Sequence, residues 1–180
     1  MNENNEKIIK ECIKAKNIMH IERENIDYHV LEAIPVDMNN KFLLIQYIYD
    51  FYYDGFKLIC LDDITSIKRG EIEKFHDKIV EEEEKTINIK DLVNVDIKEW
   101  KPFFQSIFET GKMIDIYLER KEEGRTFFVG KVVSVSESHL ELLEIYPAGD
   151  WYKDTTSISY KDITMVSFNN NFCNMLEKYC

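Results

Sequence analysis

The sequence predicts an α+β protein of two tandem modules, each a helix, five short antiparallel strands curled into a small barrel, and a flanking amphipathic helix. Three observations predict it. The chain carries two similar strings of strand-like runs, each string is bracketed by segments with apolar residues at helical spacing, and the second string can be laid on the first. Aligning Tyr28–Ile67 with Phe127–Val166 without a gap pairs identical residues at Val30/Val129, Val36/Val135, Leu43/Leu142, Leu44/Leu143, Tyr47/Tyr146, Tyr53/Tyr152 and Ile59/Ile158. The tripeptide Asp63-Ile64-Thr65 against Asp162-Ile163-Thr164 is the firmest anchor. A short slip upstream also sets Ile21-Glu22-Arg23 on Leu118-Glu119-Arg120.

The elements follow in order. Glu6–Lys16 places Ile8, Ile9, Cys12 and Ile13 on one helical face. Runs rich in Ile, Leu, Val and Tyr over 17–24, 28–37, 41–49 and 55–61 read as strands, and a tight turn at Asp63 leads to a fifth at 65–68. Asp63 and Asp162 are turn residues in this scheme, accepting backbone N–H groups. Glu71–Glu84 is the closing helix, with Ile72, Phe75, His76, Ile79 and Val80 on its apolar face. Its end carries Glu81–Glu84, negative charges where the helix dipole is already negative.

The second string repeats the scheme. Glu99–Thr110 is a helix with Trp100, Phe103, Phe104, Ile107 and Phe108 at helical spacing, Pro102 near its start and Gly111 as its stop. Strands are expected at 113–121, 126–136, 140–146, 155–160 and 164–168, and a last helix over Asn171–Tyr179. The domain expectation is a first helix-barrel-helix module over 1–85, a linker over 86–98 and a second module over 99–180.

A helix followed by five short strands, the last two separated by one tight turn, resembles the Sm-like small barrel, a relative of SH3-like barrels. In that family the second strand ends in Asp followed by x-x-Met-Asn and an apolar triplet, and the fourth ends in Arg-Gly; those residues line a uridine site. Here Val36-Asp37 followed by Phe42-Leu43-Leu44 matches the frame, but Lys41 stands at the Asn position. In the second copy the Asp and Asn positions read Ser136 and Leu140, and the Arg-Gly positions read Leu61-Asp62 and Tyr160-Lys161. The resemblance therefore implies a fold and carries no RNA site with it.

Charge and motifs narrow the function. With 34 acidic against 23 basic residues the net charge is −11, which opposes binding to phosphate backbones, so nucleic acid is not expected as a partner. There is no run of apolar residues long enough for a membrane span and no signal-peptide pattern, and the four dispersed cysteines suit a reducing cytoplasm. His20, His29, His76 and His139 lack the close His or Cys spacing of zinc sites, so no metal or other cofactor is expected and His76 is read as a core histidine. No nucleophile motif or phosphate loop occurs, which points away from an enzyme and leaves no catalytic residues to name.

The candidate binding residues are aromatic: Tyr49, Phe51, Tyr52 and Tyr53 in the first copy, Trp151 and Tyr152 in the second. Alternation sets Tyr47, Tyr49, Phe51 and Tyr53 on one face of a hairpin, with Tyr52, opposite Trp151 in the repeat, near its tip. They are either barrel-wall packing or an exposed surface of the kind that anchors partners. The expectation is a protein-binding or regulatory module with another protein, a basic one by charge, as partner, and with barrel edges available for oligomerisation. The alternative is a divergent Sm-like RNA-binding protein.

Overall fold

The first helix, α1 (Glu3–Ala15), starts where the Asn2 side chain accepts a hydrogen bond from Asn5 N at 2.8 Å. It buries Ile9 and Cys12 and stops at Lys16, whose φ of 54° is left-handed. In the computed structural model, which describes residues 2–83, 94–121, 123–124 and 126–180, the chain divides into two compact units, Met1–Asp91 and Leu92–Cys180. Of the expected linker, residues 86–93 lie outside the described residues, as does Glu84.

The first unit continues through β1 (Met19–Arg23), β2 (Asp27–Met38), β3 (Phe42–Tyr49), β4 (Tyr52–Cys60), a single 3-10 turn at Leu61–Asp63, β5 (Ser66–Lys68) and α2 (Glu71–Glu83). The strands pair antiparallel in the order β5-β1-β2-β3-β4. In the ladder of β2 with β3, Val36 is an extra residue that bends the strand. Ile18, Ile34, Ile48 and Val80 form one buried cluster, which sets α2 against the sheet. Polar groups hold the same contact: Asp77 accepts hydrogen bonds from Ile18 N at 2.7 Å and from Arg69 Nη2 at 2.5 Å, and Arg69 Nη1 donates to Ile18 O at 2.8 Å.

The second unit contains α3 (Trp100–Thr110), β6 (Met113–Tyr117), β7 (Phe127–Val135), β8 (His139–Glu144), β9 (Thr156–Ser159), a 3-10 turn at Tyr160–Asp162, β10 (Met165–Phe168) and α4 (Asn171–Tyr179). Its ladder order is β10-β6-β7-β8-β9. Phe103, Phe104 and Ile107 of α3 are buried, and Gly111 ends the helix with φ 64°. Met113, Ile145 and Cys173 form a buried cluster on which Val129, Trp151 and Leu176 pack. Among the described residues no helix is long and apolar enough to cross a membrane.

Three sequence expectations are corrected. The ten strands are laid out as open antiparallel sheet, not as two closed five-stranded barrels. Among the described residues no ladder joins β4 to β5, or β9 to β10, as closure of either unit would require. Strand order and length are the same for an open meander and a barrel, whereas closure depends on tilt and stagger that alternation does not encode.

The repeat also changes register. Ile21 faces Ile67 as Ile116 faces Val166, so Ile21 matches Ile116 and not Leu118. Leu43 faces Ile59 as Leu140 faces Ile158, and the bulge at Val36 recurs at Val133. The gapless pairing of Leu43 with Leu142 therefore fails, while Ile59/Ile158 occupy matching positions. The turns between the strands differ in length in the two units, which is where insertions are tolerated.

Finally, α2 is rotated from its expected face. Glu73 and Val80 are its buried residues, while Ile72 and Phe75 are exposed.

Candidate functional site

The turn between β3 and β4 consists of Asp50 and Phe51, both left-handed at φ 47° and 70°, with Tyr49 and Tyr52 paired across the ladder beneath them. Two-residue hairpin loops of this hand favour Asn-Gly, because a Cβ in the left-handed region meets the carbonyl. A phenylalanine there is an outlier whose cost is about 1–2 kcal/mol. Its ring lies edge-on to the His76 imidazole of α2, centroids 5.1 Å apart. Tyr49 and Tyr52 are exposed, at 60% and 67% of their surface, so the tip presents two phenols beside the Phe51 ring. Phe51 thus belongs to the turn rather than to the alternating face expected of it.

The other aromatic candidates have different surroundings. Tyr53 is half-buried against the Ile18, Ile34, Ile48 and Val80 cluster. Trp151 packs on Met113, Ile145 and Cys173, with the Lys131 ammonium 5.7 Å from the ring centre. Tyr152 stacks on Tyr146 with centroids 3.7 Å apart. Among the described candidates, it is the β3–β4 hairpin that assembles its aromatics at a two-residue tip.

A second constellation lies behind that tip. His20 and Glu32 face each other across the ladder of β1 with β2, so their side chains share a face of the sheet. Glu73 and His76 of α2, three residues apart, occupy one helical face that meets it. The Glu32 carboxylate is 3.3 Å from His20 Nε2 and 3.0 and 3.1 Å from His76 Nδ1. His20 Nδ1 is 2.7 Å from Glu73 Oε1, and Glu73 Oε2 accepts a hydrogen bond from Gly70 N at 2.5 Å. One donor atom each from His20, Glu32 and His76 lies within 4.8 Å of the others. The Glu73 side chain is 5% exposed and those of His20, Glu32 and His76 about a fifth exposed, so the group keeps partial access to solvent.

The electrostatics follow from this packing. The hydrogen bond to Glu32 raises the His20 imidazole above its ordinary pKa, against burial, with Glu73 adding to the rise. Burial pushes Glu32 up, but the imidazoles of His20 and His76 outweigh it and hold the carboxylate below its usual range. Burial likewise acts on Glu73, and the Gly70 and Glu73 amides together with His20 reverse it. Both carboxylates are therefore ionised near neutral pH, facing two imidazoles. Such a group can hold a proton, or a cation that takes nitrogen and oxygen ligands.

Sequence spacing missed this cluster because its members come from β1, β2 and α2. The available signal was Glu73-Lys74-Phe75-His76, whose i, i+3 spacing projects a carboxylate and an imidazole from one helical face. His76 is not the core histidine expected of it.

No family model, curated protein or solved structure matches the chain.

Proposed function

We propose that this chain is a non-enzymatic protein-binding or regulatory module whose recognition element is the β3–β4 tip of the first unit. The observation that carries this is the Asp50-Phe51 turn, which holds a phenyl ring in a costly backbone conformation between two exposed tyrosines. Strain kept at an exposed site is a reason to look for function there, and clustered aromatics are the side chains that anchor protein interfaces. The net charge of −11 favours a basic partner and disfavours nucleic acid. We place the protein in the cytoplasm, where its four free thiols would stay reduced.

The test is affinity capture from the source cell with the wild-type chain and with Tyr49→Ala/Tyr52→Ala, each with and without ribonuclease. A protein retained by the wild type, insensitive to ribonuclease and lost at least about tenfold by the variant, is the expected outcome, since a central aromatic contributes about 2 kcal/mol or more. Equal capture by both chains removes the tip from recognition. Capture that ribonuclease abolishes supports the RNA-binding alternative instead.

A further inference from the structure

We propose that His20, Glu32 and His76 form a binding site for a divalent transition-metal ion of the zinc class, with Glu73 as the positioning residue behind His20. The site adjoins the hairpin tip through the contact of Phe51 with His76, but the proposal does not rest on the recognition role given to that tip.

The donor geometry supports it first. Zinc bonds to nitrogen and oxygen of about 2.0–2.2 Å in a tetrahedron separate the ligand atoms by about 3.4 Å. A single oxygen, Glu32 Oε2, stands 3.3 Å from His20 Nε2 and 3.1 Å from His76 Nδ1, and one donor atom from each of the three residues falls within 4.8 Å of the others. Two imidazoles with one carboxylate favour zinc and its neighbours over magnesium or calcium, which take oxygen ligands. Three protein ligands leave one position for water or an outside group.

The ring behind the donors is oriented as metal ligands are. A ligating histidine commonly donates its second ring N–H to a carboxylate, which fixes the tautomer. Glu73 lies 2.7 Å from His20 Nδ1, so a proton held there leaves the Nε2 lone pair directed at the centre. Glu73 is itself fixed by Gly70 N, and the neighbouring Asp77 ties α2 to Ile18 on the strand side.

The third support is the second unit, which shows what the same scaffold uses when no such group is built. Asp77 accepts from Ile18 N in the first unit as Glu177 accepts from Met113 N in the second, which puts the two helices in register. His20 then matches Asp115, and Glu73 matches Cys173, whose Sγ lies 3.0 Å from Asp115 Oδ1. His76 matches Leu176. Glu32, opposite His20, matches Val129, opposite Asp115. Val129 and Leu176 each pack against the cluster of Met113, Ile145 and Cys173. The architecture therefore accepts a plain apolar contact at the place where the first unit puts Glu32 and His76, although half-buried carboxylates and imidazoles cost desolvation.

The experiment titrates zinc into the full chain against a chromophoric chelator and follows cobalt(II) substitution by its visible absorption. One equivalent bound, with the intense spectrum of tetrahedral cobalt, is expected. Glu32→Gln and His76→Asn should each weaken binding at least tenfold while circular dichroism stays native. Glu73→Gln should weaken it about ten- to a hundredfold with the tetrahedral spectrum retained, the mark of a positioning role. A measurement that needs no variant accompanies these: zinc should shift the imidazole resonances of His20 and His76 and leave those of His29 and His139. No binding at about 100 micromolar free zinc, undiminished binding in Glu32→Gln and His76→Asn, or shifts at His29 or His139 instead would overturn the proposal.

Discussion

At the scale of single residues, the two units solve one problem with different side chains. Each first helix must end in a left-handed residue before its strand, and the position is Lys16 in the first unit and Gly111 in the second. Glycine has no Cβ to clash there, whereas lysine does. Lys16→Gly should therefore raise stability, and Gly111→Lys should lower it, each by about 1 kcal/mol, read as opposite shifts in the denaturant midpoint at constant slope. Around Gly111 a Cβ would meet nothing within 4 Å, so the second change measures backbone cost alone.

Cys173 gives a residue-scale prediction with a pH sign. Burial, and then the Asp115 carboxylate, push its thiol well above the ordinary range. Above the unfolded thiol's pKa, about 8.5, the unfolded chain loses this proton while the folded chain keeps it. The contribution is intact below that pH and declines as pH rises further, so Cys173→Ser should flatten the alkaline fall in stability. Iodoacetamide at pH 8 should label the exposed Cys180 and spare Cys173 until the chain unfolds.

At the scale of elements, periodicity carried most of the information. Helices were legible from faces such as Ile9 with Cys12, and strands from apolar and aromatic runs such as Phe42–Tyr49. The face of α2 is not legible from periodicity, because Ile72 and Phe75 look like core residues, yet Glu73 takes the inward place through the Gly70 amide and His20. The tip departs from its sequence pattern for a related reason. Alternation assumes an extended chain, and the left-handed pair Asp50-Phe51 breaks it where no glycine advertises a turn. The metal-ligand cluster was half legible: Glu73 and His76 share a helical face by spacing, but their meeting with His20 and Glu32 depends on which strands pair and on where α2 docks.

At the scale of the whole molecule, each unit has the same order of one helix, five strands and a closing helix, interrupted by the same 3-10 turn before the last strand. Matching polar contacts recur inside each: Thr65 Oγ1 donates to Glu22 O at 3.0 Å, and Thr164 Oγ1 to Tyr117 O at 3.1 Å. The repeat is visible in sequence at Asp63-Ile64-Thr65, but unequal turns shift its register upstream, and strand pattern is silent on how far a sheet curls, so it does not separate open sheet from closed barrel.

The pairing of His20 with Glu73 in one unit and of Asp115 with Cys173 in the other makes the second unit a blank template for the chemistry of the first. Four exchanges, Asp115→His, Val129→Glu, Cys173→Glu and Leu176→His, would transplant the ligand set and its orienting carboxylate onto a backbone that already aligns them. Such a chain should take up a second equivalent of zinc, read by the same chelator titration, and a single equivalent would mean that the helix placements differ by more than a coordination bond tolerates. A protein with two matching sets of positions, one carrying the ligand set and one not, thus carries its own control within a single polypeptide.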